Sequence, residues 1–275
     1  MGLTGCAMDR ATAPVLFNEQ VRPFMWRLGL AWDALARGAR AAKFVMLSFP
    51  GRNEPLLPRP FSISDAYVDG SDGRAVTEIL YKPAGRATRA MTRLRPGDGL
   101  DVLGLLGNGF PAPTAGRRPV LLAGGIGNAP FAFHIRELAG GPCADDPSRI
   151  LLLLAGRNRD EIYIQDVAHR SGATIVVVTD DGSLGEKGLI TDALRRRLPD
   201  LGPVAAFACG PTPMLRAVQK LCDAQGVPCF LSVEEMMACG YGVCNACVVP
   251  SRTHPGEYVK ACQEGPVFES REILA

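Results

Sequence analysis

Val120-Leu121-Leu122-Ala123-Gly124-Gly125-Ile126-Gly127-Asn128-Ala129-Pro130 decides the reading of this chain. Four apolar residues suit a buried strand, and Pro130 suits a first helical turn, where its missing N–H costs little. Between them, glycines permit a tight turn and close approach of a pyrophosphate, which exposed N–H groups and the helix dipole would hold. Taken alone, the stretch also fits a plain glycine turn after a strand. Apolar runs recur at residues 150–154, 174–178 and 205–208, and stretches of helical character at 130–139, 188–198 and 214–224 alternate with them. Strands buried on both faces with helices between them predict a parallel α/β sheet over residues 114–228.

On the N-terminal side, residues 21–30, 44–49, 59–64, 75–81 and 100–105 read as short strands broken by Gly and Pro. That spacing predicts a small antiparallel barrel over residues 15–113, with residues 111–116 as a linker and 1–14 as a tail. On the C-terminal side, residues 229–275 hold Cys239, Cys244, Cys247 and Cys262, spaced C-x4-C-x2-C-x14-C. This is the spacing of a plant-type [2Fe–2S] cluster, in which four thiolates hold two irons. Gly240 and Gly242 let the chain fold back so that N–H groups face the sulfurs. A zinc site or buried structural thiols would be the alternatives, although structural zinc more often takes two short Cys pairs.

The 275 residues are 47% hydrophobic and 21% charged with net charge +2, ordinary for a globular protein and without the basic field that nucleic acid would require. No apolar run approaches the ~20 residues of a membrane span. Nine cysteines, five of them scattered and outside the cluster motif, suit a reduced cytoplasmic protein better than an oxidised secreted one.

Other stretches carry weaker signals. Arg59-Pro60-Phe61-Ser62-Ile63-Ser64 offers a cation for a phosphate and a hydroxyl for a flavin edge, or simply an edge strand with a surface arginine. Cys209-Gly210-Pro211 ends an apolar strand where ligands bind in open sheets, so Cys209 faces a nicotinamide or is a small buried residue. Arg157 and Arg159 stand where a cation could meet a 2′-phosphate, or are solvated loop charges. His134, His169 and His254 form no ligand spacing and read as surface or packing residues. Glu234-Glu235 reads as solvated surface by default and as a docking element in the alternative.

In this order the motifs resemble the electron-transfer subunits of two-subunit, NAD-dependent dihydroorotate dehydrogenases, of the ferredoxin reductase-like superfamily. The carriers are Arg59–Ile63, residues 104–110, 123–130, 179–189 and 208–214, the segment 232–247, and 262–268. The resemblance implies a flavin barrel, a nucleotide-binding α/β domain and a small [2Fe–2S] domain, with FAD, NAD and the cluster as cofactors. It places Arg59, Phe61, Ser62, Ile63, Tyr81, Gly85 and Thr88 at the flavin. Gly124, Gly125, Gly127, Cys209 and Gly210 fall at the nicotinamide cofactor, and the four cysteines at the metal. It implies an FMN-containing catalytic partner in a heterotetramer, and a role in pyrimidine biosynthesis. The hydride step needs no side-chain base, so no catalytic residue is assigned. Leu105, Asn128, Asn245 and Lys43 depart from the usual pattern and leave open a reductase serving ferredoxin or a hydrogenase-type partner. A non-enzymatic iron–sulfur or zinc scaffold is the reading from another class.

Overall fold

The computed structural model describes residues 9–51, 55–163 and 165–273. Its first layer is a closed antiparallel barrel in the order β1-β2-β5-β4-β3-β6. The strands are β1 (Asp9–Arg22), β2 (Met25–Leu30), β3 (Phe44–Ser48), β4 (Arg59–Val68), β5 (Ala75–Tyr81) and β6 (Gly99–Leu106), with one helical turn, α1 (Arg86–Met91), after β5. Residues 9–14, expected to belong to a tail, are strand: they pair with Gly99–Gly104 of β6, and Thr12 Oγ1 donates to Asp101 at 2.7 Å. Their partners lie some ninety positions away, so local polarity concealed the pairing. Residues 1–8, including Cys6, lie outside the described residues. The expected strand 21–30 is a hairpin, β1 turning at Pro23-Phe24 into β2, because Pro23 has no N–H for a ladder.

The second layer is a seven-stranded sheet in the order β10-β9-β8-β7-β11-β12-β15. It contains β7 (Arg118–Gly124), β8 (Leu151–Gly156), β9 (Thr174–Thr179), β10 (Glu186–Lys187), β11 (Val204–Cys209), β12 (Cys229–Ser232) and β15 (Val267–Glu269). Helices α2 (Phe131–Ala139), α3 (Asp166–Arg170), α4 (Ile190–Leu201) and α5 (Thr212–Gln225) connect them. A short hairpin, β13 (Val248–Pro250) and β14 (Tyr258–Lys260), completes the chain. Every residue of β11 is buried, as a central parallel strand requires. Pro213 sits in the first turn of α5, and Gly226 at φ +64° closes it. The expected third domain is not detached. β12 pairs in parallel with β11, and β15 returns antiparallel to β12, so the cysteine segment leaves the sheet and comes back to it. A cluster segment too small to bury a core of its own thus borrows the sheet's.

Phe110, Phe131 and Phe207 pack where the barrel exit meets the sheet, with ring centroids 5.6 Å apart. Burying each contributes ~1.5–3 kcal/mol. The ion pairs across the same seam, Lys82–Glu161 at 3.5 Å and Arg136–Asp65, are partly solvated and contribute about 1 kcal/mol or less. Aromatic packing therefore holds barrel and sheet together. Among the described residues no helix is long and apolar enough to cross a membrane.

His134 packs between Phe110, tilted, and Phe207, edge-on, with centroids 4.9 Å away, and is 2% exposed; Nδ1 lies 3.4 Å from Glu137, and Nε2 has no partner. Burial drives its pKa below the usual 6.5, only partly opposed by Glu137. The folded protein then binds fewer protons than the unfolded chain, so stability is full above pH 6.5 and falls as pH drops below it. His134→Phe should remove this contribution, up to about 1.4 kcal/mol per pH unit. Denaturant midpoints for both proteins between about pH 7.5 and 5.5 check it, since the difference between the profiles isolates His134. Parallel profiles would show that the imidazole does not titrate on unfolding.

Candidate functional site

The switch point of the sheet lies at β7, from which β8 and β9 lie to one side and β11 and β12 to the other. Here the carboxyl ends of β7 and β11 approach each other so closely that the Gly124 backbone lies 3.1 Å from where a Gly210 Cβ would stand. The loop after β7 makes a short 3-10 turn, Gly125–Asn128, with Gly125 at φ +54°. Asn128, unusual here by resemblance, is buried; Nδ2 donates to Tyr163 O at 2.6 Å and O accepts from Gln165 Nε2 at 3.2 Å. It fastens the turn to the loop after β8.

Two cavities meet at this point. The glycine-loop cavity, about 540 Å³, is lined by Gly124, Gly125, Gly210, Asp180, Met214 and Arg157 among others. The barrel-side cavity, about 450 Å³, is lined by Phe61, Ser62, Tyr81, Thr88, Cys209 and Met237 among others. Lys82, Ile126 and Glu234 line both. Burial raises the Tyr81 phenol, which donates to Asn18 at 2.9 Å. Burial likewise raises the Cys209 thiol, against a hydrogen bond with Ser232.

The expected residues take different positions around these cavities. Gly127 lines neither of the two: a Cβ there would strike the Cys209 backbone, so the glycine lets the turn pack against β11. Cys209, placed by resemblance at the nicotinamide cofactor, opens on the barrel-side cavity. The Ile63 side chain is wholly buried in the barrel core, because strand alternation turns it away from Ser62. Arg59 lies at the start of β4 and donates to Leu57 O at 2.9 Å and Pro58 O at 3.2 Å. Gly85 caps α1, its N–H donating to Thr88 Oγ1 at 3.0 Å. Arg157 lines the glycine-loop cavity but is held by Glu161, whose carboxyl it keeps down at about 2; Arg159 donates to Ser183 O at 2.5 Å. Glu234 is exposed, as expected, and its surface lies where the two cavities meet. Sequence reasoning passed over Lys82, although Tyr81–Thr88 was marked, because a lone lysine at a strand end carries no spacing signal.

The cysteines converge below the barrel. Gly240 (φ +83°) lets the loop press against the barrel, where a Cβ would lie 2.6 Å from Met46 Cγ and 3.2 Å from Leu106. Asn245 at φ +56° takes a left-handed conformation that asparagine tolerates. Cys247 immediately precedes β13 and Cys262 follows β14, so the x14 interval is a hairpin that brings the two sulfurs together. Cys239 lies beside Cys244, whose N–H reaches its sulfur at 3.5 Å. The sulfurs thus stand as two neighbouring pairs, Cys239 with Cys244 and Cys247 with Cys262. Burial raises the Cys239 thiol, but N–H groups of Cys244, Tyr241 and Val243 outweigh it and bring it down to about 6. Burial and the neighbouring Cys247 push Cys262 up to about 12. Ligation requires all four as thiolates, and metal charge supplies that stabilisation.

Comparison with known proteins agrees with this arrangement. Residues 234–274 match the iron–sulfur cluster binding domain of dihydroorotate dehydrogenase B, and residues 121–220 an oxidoreductase NAD-binding domain. The chain is 33% identical over 264 residues to the dihydroorotate dehydrogenase B (NAD(+)) electron transfer subunit of Desulforamulus reducens, covering 95% of this chain and 97% of that one. The chain belongs to the family of dihydroorotate dehydrogenase B electron transfer subunits. Within the family, the Geobacillus thermodenitrificans subunit is 33% identical over 269 residues, 97% of this chain and 99% of that one. The fold is ferredoxin reductase-like. A NADH-dependent reduced ferredoxin-NADP oxidoreductase superposes with TM-score 0.81 at 24% identity, over 96% of this chain and 90% of that one. A cytochrome P450 reductase from Amycolatopsis gives 0.64 at 26% identity, over 79% and 66%.

Cys247→Ser should abolish bound iron and acid-labile sulfide, whereas Cys222→Ser, which alters a buried thiol on α5, should keep both. Metal and sulfide assays on the two purified variants check this. Wild-type iron in Cys247→Ser would remove it from the ligand set.

Proposed function

We propose that the chain carries electrons between an FMN-containing catalytic dihydroorotate dehydrogenase subunit and NAD, in pyrimidine biosynthesis, within a cytoplasmic heterotetramer. The observation that carries this reading is the position of the barrel-side cavity. It shares Lys82, Ile126 and Glu234 with the glycine-loop cavity, and on its other side Met237 leads within two residues to Cys239. A middle site touching both a nucleotide cleft and a cluster loop suits a flavin, which when bound supplies the exchange between hydride and single electrons.

Phe61, Ser62 and Tyr81 hold the flavin ring, Ser62 by its hydroxyl and the aromatics by packing. Gly85, Thr88 and Arg59 serve its pyrophosphate end, and Ile63 fixes the strand from within the barrel. Gly124, Gly125 and Gly210 give the nucleotide close access to backbone, Gly127 keeps the turn against β11, and Cys209 packs beneath the flavin side. Cys239, Cys244, Cys247 and Cys262 hold the [2Fe–2S] cluster. The partner meets the chain where the cluster loop is open. Cys244 is exposed there, beside Val243 at 72% and Met236 at 79% exposure, and such apolar surface marks association. Thiols that must stay reduced favour the cytoplasm.

The charges around the glycine-loop cavity favour NAD over NADP. Arg157, the cation placed for a 2′-phosphate, is taken up by Glu161, and Asp180 and Glu234 add negative charge. Glu161→Gln should release Arg157 and raise affinity for 2′,5′-ADP relative to 5′-ADP by roughly tenfold, the worth of one charge-assisted contact. Calorimetric titration with both nucleotides checks this, and an unchanged ratio would show that Arg157 plays no part in selection.

The proposed function is tested by an anaerobic absorption spectrum of the purified chain before and after NADH. Flavin and [2Fe–2S] bands that bleach together are expected. A colourless protein, inert after reconstitution with flavin, iron and sulfide, would overturn the reading.

A further inference from the structure

A third cavity opens on the seam between barrel and sheet. It measures about 610 Å³ and shares no lining residue with the barrel-side or the glycine-loop cavity. Its walls come from both layers. Strands β2, β4 and β5 supply Arg27, Tyr67 and Glu78, while α2, α3 and the loop after β8 supply Arg136, Arg170 and Tyr163. Gln165, 6% exposed, lines it too; its Oε1 accepts from Ser64 Oγ at 2.7 Å and its Nε2 donates to Asn128 O at 3.2 Å. One buried side chain thus joins this cavity to the strand that carries Ser62 and to the glycine turn.

The charged groups here are paired in a way that leaves one cation over. Arg27 reaches both oxygens of Glu78, with Nε 3.0 Å from Oε2 and Nη2 donating to Oε1 at 3.1 Å, and Tyr67 donates to the same Oε1 at 2.8 Å. Arg136 pairs with Asp65 and donates to Ala66 O at 2.6 Å. Arg170 is exposed and, among the described residues, has neither a hydrogen bond nor an ion pair. Three guanidinium groups against two carboxylates give the lining a net charge of +1. The C-terminal end of α2, at Ala139 and Gly140, adds a partial negative charge. One full negative charge suits such a lining and a second does not, which favours a carboxylate over a phosphate dianion. A guanidinium takes a carboxylate through two parallel N–H bonds. The rest of the wall includes Tyr67, Tyr163, Ala139 and Gly140, whose flat or small surfaces accept a planar ring.

We propose that this third cavity binds a small planar ring carboxylate, with Arg170 holding the carboxylate and the ring set against Tyr67 and Tyr163, and that occupancy braces the seam through Gln165. A ligand that touches both layers stabilises their docked arrangement by mass action. Ser64 and Asn128, which meet Gln165 from β4 and from the glycine turn, are where the bracing is felt. The site goes beyond the electron-transfer reading and does not depend on it, because binding is read without turnover.

The test uses the purified holoprotein with ADP-ribose added to fill the glycine-loop cavity. Benzoate is the probe, titrated at fixed ionic strength and followed by ligand-detected NMR. It should bind at one saturable site, whereas acetate, which lacks the ring, and benzamide, which lacks the charge, should not bind measurably. Arg170→Gln should weaken benzoate roughly tenfold, the worth of one charge-assisted contact, and Ala139→Trp should fill the cavity and abolish binding. Circular dichroism shows whether each variant folds, and Arg170→Gln still decides if Ala139→Trp does not. Saturating benzoate should slow hydrogen exchange in wild-type peptides containing Ser64 and Asn128, and the same concentration should leave Ala139→Trp unchanged. Absent binding, or binding that both substitutions leave as it was, would overturn the site. Tighter binding of 5′-UMP than of benzoate would overturn the carboxylate assignment, and unaltered wild-type exchange the bracing. None of these outcomes touches the electron-transfer reading, which the bleaching of the flavin and cluster bands by NADH decides separately.

Discussion

Everything at the centre of this molecule depends on how closely β7 and β11 approach at their carboxyl ends. Gly124, Gly127 and Gly210 leave no room for a Cβ. Met214 crowds the first and third, and the Cys209 backbone crowds the second. A methyl group at Gly127 would have to push main chain away, and interiors packed to crystal density yield little, whereas at Gly124 or Gly210 it would first displace the flexible end of Met214 and then press on Pro211 or the Gly124 backbone. The consequence reaches beyond the sheet. With no side chains between them, the strand ends leave exposed backbone at the floor of one cavity and the Cys209 thiol at the wall of the next. Two binding spaces can then share a boundary only three residues wide.

The cluster segment extends the same logic through the chain's return. After β12 the backbone leaves the sheet, wraps the four cysteines under the barrel, and comes back as β15. Asn108, just beyond β6, secures that return: its Nδ2 donates to Glu264 O at 2.9 Å and Val267 O at 2.8 Å, and its Oδ1 accepts from Val267 N at 3.0 Å. Three hydrogen bonds from one half-buried side chain outweigh any surface ion pair nearby. The cluster loop is thereby fixed to barrel and sheet together, and electron transfer depends on that fixed spacing.

Much of this was legible from residue order. A glycine loop after an apolar strand, apolar runs alternating with helices, and four cysteines at a defined spacing report backbone and ligand requirements that are local or nearly so. The first strand was not legible, because residues 9–14 gain their structure from β6, far along the chain. The side on which Cys209 opens was hidden for a related reason. A strand-end residue faces one cavity or another according to which domain docks there, and no local pattern encodes docking. Gly127 and Ile63 belong to family motifs yet serve packing, so a motif's span is readable where the division of labour within it is not. Glu234 shows the limit most clearly. Next to a second glutamate it has the signature of solvated surface, and it is exposed; that this surface is the rim shared by two cavities follows only from the convergence of β5, β11 and β12, which no local pattern encodes.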